Sequence, residues 1–195
     1  TIPTITGTTP AARCDAGTVT LQATASSGTI SWFASNTGGT ALATGGSYTT
    51  PILTANTTYY VEAANGTCTS TRTAVTATVN STPVITSTTP GSVCDSGSVS
   101  LSAVTSSGTI NWFANATGGT TLATGPTLMT PNLTTTTTYY VQAANGNCTS
   151  GRTAVIATVN TTPMLTGTTP ASRCGTGSVT LQATTNVGTI RWFGT

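Results

Sequence analysis

Histidine and lysine are absent from this 195-residue chain, and charge of either sign is scarce. The ionised side chains are Arg13, Arg72, Arg152, Arg173, Arg191, Asp15, Asp95 and Glu62, only 4 % of the residues. Five scattered arginines do not make the dense basic stripe that nucleic acid requires, so no nucleic-acid partner is expected. No apolar run approaches the roughly 18 residues of a membrane-spanning helix, so this segment is not expected to insert into a bilayer. Without histidine, and without closely spaced cysteine pairs, neither a mixed zinc site nor a dithiol redox motif can be assembled. Threonine, serine and asparagine replace the charged coat, so solubility rests on hydroxyls and amides.

What is present is repetition. Cys14, Cys94 and Cys174 are spaced by 80 residues, as are Cys68 and Cys148, and Trp32, Trp112 and Trp192. About two-thirds of positions match between residues 1–80 and 81–160, the mark of internal duplication. The reading is therefore two complete repeats, 1–80 and 81–160, and a partial third, 161–195, with the first three strands only. "TIPTITG" begins at a repeat boundary, as a mature fragment would.

Within the first repeat, β-branched and aromatic runs alternate with Gly, Asn and Pro clusters, and no helical period is sustained. Seven strands are expected, at Thr4 to Thr8, Thr18 to Thr24, Thr29 to Ala34, Thr40 to Ala43, Ser47 to Leu53, Thr57 to Ala64 and Thr73 to Val79. "NTGG", "TGG" and "NG" supply the turns. Val19, Leu21 and Ala23 point to one face while Thr18, Thr20 and Gln22 point to the other. Seven short strands in 80 residues fit a small two-sheet sandwich, so the fold class is all-β.

An immunoglobulin-like sandwich places a Trp on its third strand and a Tyr two residues before a central position of its sixth. "TISWFA" and "TTYYVEA" fill those slots. Leu21 and Val61 then stand where antibody domains carry their core cysteines. The candidate core is Leu21, Trp32, Tyr59 and Val61, repeated as Leu101, Trp112, Tyr139 and Val141, with Trp192 in the third repeat. Together with "TGG", "NGxC", "RTAVTA" and a Cys before the second strand, the chain resembles the bacterial Ig-like repeats of long secreted surface proteins of Bacteroidota that use type IX secretion. That resemblance implies tandem immunoglobulin-like β-sandwich repeats in an extracellular, cell-surface stalk, adhesin or filament. Its partners would be neighbouring repeats or identical chains, or a surface polysaccharide if the repeats bind directly.

Little chemistry is on offer beyond this. Each complete repeat has one acid at Asp15 or Asp95, with Glu62 in the first only, so paired carboxylates cannot form; no enzyme, metal or cofactor is expected. Calcium-binding linkers need several carboxylates per junction, and "NSTP" at Asn80 to Pro83 has none. A Lys–Asn isopeptide is impossible without lysine. Asn56, Asn65, Asn80, Asn115, Asn132, Asn147 and Asn160 lie in N-x-S/T sequons, a frequent chance match in a threonine-rich chain. Arg72 and Arg152 read as solubilising charges, or as contacts to an anionic polysaccharide. Tyr48 has Leu128 as its counterpart, so an exposed aromatic platform there would not be shared.

Recurrent cysteines in a polar β-rich chain indicate an oxidising compartment. In the immunoglobulin topology the second and sixth strands run parallel, so Cys14 and Cys68 belong at opposite ends of one sandwich. A disulfide needs Cα atoms within about 7 Å. The leading expectation is a staggered scheme in which Cys14 bonds Cys148, with Cys68, Cys94 and Cys174 paired outside the segment. The alternative joins Cys14 to Cys68 and Cys94 to Cys148 within repeats. The third repeat, ending in "TIRWFGT", is a half-built sheet that further chain, or a strand from another molecule, would complete.

Overall fold

The computed structural model describes residues 1–194, which contain strands and turns and no helix. The first repeat carries β1 (Ile5–Thr9), β2 (Ala11–Cys14), β3 (Thr20–Ala25), β4 (Thr29–Phe33), β5 (Ala43–Thr44), β6 (Ser47–Thr49), β7 (Thr57–Asn65), β8 (Cys68–Thr69) and β9 (Thr73–Asn80). One sheet has the order β1-β3-β6 and the other β2-β9-β7-β4-β5, with β8 attached to β7. Neighbours in the first repeat run antiparallel except β2, which lies parallel to β9 with Cys14 opposite Asn80.

The first expected strand is present as β1, and β2 is an additional strand that follows it. Pro10 has no amide hydrogen, so the ladder on β3 ends at Thr9 and the chain crosses to the opposite sheet. β2 has the sequence AARC, without β-branched residues, and joins its sheet through main-chain pairing with β9 while Ala11 packs against the core. The fifth expected strand stops at Thr49, since Pro51 cannot donate to a ladder; Leu53 returns only for an isolated bridge to Gly17. The fourth keeps only Ala43 of its expected span, and pairs with β4 as Ala43–Thr44.

The core lies between the sheets. Val19, Leu21 and Ala23 of β3 face Trp32, Tyr59, Val61, Val75 and Ala77, with Tyr48 and Leu53 closing the side. Trp32 is 0 % exposed, and its indole N–H donates to the Gly45 carbonyl at 2.9 Å, so no polar group is stranded. Tyr48 stacks on Trp32 with centroids 5.8 Å apart and meets Tyr59 edge-on at 5.0 Å. It is a core residue, and no exposed aromatic platform exists there. Burial raises its phenol pKa, with further contributions from Tyr59.

The second repeat has the same plan: β10 (Ile85–Thr89), β11 (Gly91–Cys94), β12 (Ser100–Thr105), β13 (Thr109–Phe113), β14 (Ala123–Thr124), β15 (Thr127–Met129), β16 (Thr137–Asn145), β17 (Cys148–Thr149) and β18 (Thr153–Asn160). Its sheets are β10-β12-β15 and β11-β18-β16-β13-β14, with β17 on β16. Leu101, Trp112, Tyr139 and Val141 are buried, Trp112 donates to the Gly125 carbonyl at 3.0 Å, and Leu128 fills the place of Tyr48.

Of the third repeat, the described residues form only the antiparallel pair β19 (Leu165–Thr169) and β20 (Gln182–Thr185). The expected third strand is not formed, and Trp192 is 59 % exposed rather than a core residue. The reason is physical. The core around Trp32 is built from β6, β7 and β9 as well as β3, and the described residues after 161 include no counterpart of the first three. By contacts the chain divides into two compact units, Thr1–Ser87 with Val104–Asn111 and Gln142–Arg152, and Thr88–Ala103 with Trp112–Val141 and Thr153–Thr195.

Candidate functional site

The distinctive chemistry of the first compact unit gathers where β2 and β9 end. Because these strands are parallel, Cys14 finishes beside Asn80, the last residue of β9, and the Asp15 amide donates to the Asn80 carbonyl at 2.8 Å. Asp15 has φ 59°, a left-handed conformation that Asp tolerates better than most residues. That turn carries its carboxylate back over the linker. Oδ1 accepts the Thr82 amide at 2.9 Å and Oδ2 accepts the Thr82 hydroxyl at 2.7 Å. The amide bond, then the hydroxyl, hold the Asp15 pKa below the usual carboxylate value, with a smaller contribution from Arg13. Arg13 braces the turn by donating to the carbonyls of Asp15 (2.9 Å), Thr18 (3.2 Å) and Cys14 (3.3 Å).

Against this end sits the hairpin of β16 and β17. Cys148 is 1 % exposed and forms a disulfide with Cys14, the Cα atoms 5.5 Å apart, within the normal range. The Asn145 amide donates to the Ser81 carbonyl at 3.1 Å. Gly146 has φ +59°, and a Cβ there would lie 2.6 Å from the Asn80 side-chain nitrogen, whereas one at the equivalent Gly66 would meet nothing. The left-handed turn, at φ +59° here and +63° at Gly66, calls for glycine in both hairpins, and at 146 it also leaves room for the Asn80 side chain.

Pairing within repeats is not what the structure makes: Cys14 is not joined to Cys68, nor Cys94 to Cys148. Cys68, Cys94 and Cys174 are exposed free thiols. The antiparallel register of β7 on β9 explains this. Thr57 faces Ala77 and Val61 faces Thr73, so the hairpin bearing Cys68 lies at the end of β9 opposite Asn80. Eight residues of β9 separate Cys14 from Cys68 by about 26 Å, beyond any disulfide.

The second repeat repeats the carboxylate arrangement. Asp95 also has φ 59°, and accepts the Thr162 amide at 2.9 Å and its hydroxyl at 2.5 Å. Hydrogen bonds from the hydroxyl, then the amide, depress its pKa. Sequence reasoning passed over this clamp; the available signal was Asp15 with Thr82 and Asp95 with Thr162, each 67 residues apart.

Arg72 is neither a loose surface charge nor available to a polysaccharide. Its side chain is 9 % exposed, ion-paired with Glu62 at 2.9 Å, and stacked 3.5 Å over the Phe33 ring. Its Nη1 donates to the carbonyls of Ser35 (2.6 Å) and Gly38 (2.8 Å), tying down the loop after β4. Asn56 is similarly committed, since its Oδ1 accepts the Val79 amide at 2.8 Å; in the second repeat the Thr136 hydroxyl takes that role at 3.0 Å. Among the described residues no group of three or more His, Cys, Asp and Glu side chains could hold a metal ion, and no helix is long and apolar enough to cross a membrane.

The family described as Ig-like domain CHU_C associated matches residues 1–80 and again 81–160. The chain belongs to this family. Its CHU_C-associated repeats share their fold with solved immunoglobulin structures. A chain of the mouse coronavirus receptor-binding domain complexed with its murine receptor is 17 % identical, with 78 % of this chain and 97 % of that chain covered and a TM-score of 0.55. Sidekick-1 immunoglobulin domains 1–4 are 15 % identical, with 81 % and 48 % covered and a TM-score of 0.50. At such identities the likeness extends to the fold alone. No curated protein matches the chain.

Proposed function

We propose that these CHU_C-associated Ig-like repeats are structural spacers of an extracellular bacterial surface stalk, adhesin or filament, reinforced by disulfides. The observation that carries this reading is the site itself. The polar and sulfur chemistry at this end of the first compact unit, Cys14, Asp15, Asn80, Ser81, Thr82, Asn145 and Cys148, is engaged in holding one segment of the chain to another. Cys68 and Cys94 occupy the places of Cys148 and Cys14, and Cys174 is the third copy of Cys14. In this proposal they pair in the same staggered way with further repeats or identical chains. The membership in an Ig-like family, a class that is typically extracellular and non-enzymatic, supports the setting.

Direct binding of a polysaccharide is the competing reading. It has lost two candidate contacts, Tyr48 to the core and Arg72 to Phe33 and Glu62. A glycan array probed with the intact, oxidised chain separates the readings. A spacer gives no saturable ligand; saturable binding at micromolar concentration or tighter overturns the proposal.

A further inference from the structure

We infer that Asp15 and Asp95 are positioning residues for the cysteines that precede them: each carboxylate clamps the threonine two residues beyond the end of its repeat, and so sets the linker on which the docking hairpin rests. The two copies differ in one informative respect. Cys14 is bonded and Cys94 is free, yet both clamps are made, on the same atoms and from the same left-handed backbone. The clamp is therefore not a by-product of the disulfide. Nor does it require a neighbouring cation, since Arg13 has Val93 as its counterpart.

The contacts run in an unbroken path. The Asp15 amide is fixed to Asn80 and its carboxylate to Thr82, so Ser81 is held from both sides. The Ser81 carbonyl is the acceptor for Asn145, three residues before Cys148. Orienting Ser81 orients the hairpin, and the hairpin carries the sulfur. Asp95 reproduces the first half of the path, with its amide on the Asn160 carbonyl at 2.7 Å and its carboxylate on Thr162. In the third repeat this position is Gly175, at φ +80°, which keeps the backbone turn and lacks the carboxylate. Replacement of the aspartate by glycine is thus a perturbation already present in the chain, and one the left-handed backbone accepts without strain.

The test uses the full 195-residue chain with Cys68→Ser, Cys94→Ser and Cys174→Ser, leaving one pair. It is equilibrated in glutathione buffers, where the two thiols give two electrons and two protons to glutathione disulfide, which becomes two molecules of glutathione. The oxidised fraction is read by alkylation and mass spectrometry. Asp15→Gly and Thr82→Val should each lower the equilibrium constant about threefold to tenfold, the loss of one or two modest hydrogen bonds. Thr82→Ser should restore it, and Asp95→Gly should leave it unchanged. The melting temperature of the reduced protein serves as the control for folding. An unchanged constant in Asp15→Gly, or an equal fall in Asp95→Gly, overturns the assignment. A glycan-binding chain would carry the same clamp, so this measurement and the glycan array fail independently.

Discussion

Removal of the Cys14–Cys148 bond should have a large and calculable effect. The bond spans 134 residues in sequence, but that is not the loop that matters when one repeat unfolds beside a folded neighbour. Asn145 holds the Cys148 hairpin at Ser81, so with the second repeat intact the cross-link effectively closes the chain from Cys14 to Asn80. A loop of about 66 residues loses chain entropy worth about 4 kcal/mol at 25 °C. For a domain of this size each kcal/mol moves the midpoint by about 4–8 °C, so the double variant Cys14→Ala/Cys148→Ala should melt at least about 15 °C lower. Differential scanning calorimetry reads this directly, with Cys68→Ala/Cys94→Ala as the control, since those thiols are free and exposed. If the first double variant melts within about 2 °C of the parent while the control is unaffected, the bond does not restrain unfolding in this way.

Three further outcomes are expected. Trp32→Ala should cost about 3–5 kcal/mol in chemical denaturation, as full removal of a buried aromatic does, whereas Trp192→Ala should stay within about 0.5 kcal/mol because its ring is already in solvent. Tyr48→Leu should cost less than about 1.5 kcal/mol, since Leu128 fills the equivalent space in the second repeat. The clamps should also weaken in acid. The folded Asp15 and Asp95 carboxylates have depressed pKa values, so their contribution is complete above the ordinary carboxylate pKa and is lost as pH falls through the lower folded values. NMR titration of the Thr82 and Thr162 amides should show this transition, and Asp15→Asn should abolish it at Thr82 alone.

Alternation made the sandwich legible. Val19, Leu21 and Ala23 could face only one way, and the "WF" and "TTYYVEA" runs identified the strands opposite them. The parts that escaped are those whose physics is not periodic. β2 is a backbone pairing with no side-chain signature, so the parallel contact that carries Cys14 to the end of β9 could not be read from AARC. The Asp15 clamp joins residues 67 apart through a left-handed turn, and Asp looks in sequence like a surface charge. Arg72 looked the same, because nothing local to it reveals a ring at Phe33 and carbonyls at Ser35 and Gly38. Trp192 was misplaced for the reverse reason: its motif is intact, but burial belongs to the strands around a residue and not to the motif.

The bond between Cys14 and Cys148 also governs how far the chain can be drawn out. A force applied at the two termini, once the strands outside the bond have come away from β3, β9 and β16, is carried from one sulfur to the other, past the residues between them. At about 3.4 Å per extended residue, some 450 Å of contour is withheld until that bond is broken. Under load the molecule would lengthen only through its end segments and the strands outside the bond, and reduction would let the repeats between the sulfurs unfold and extend one after the other.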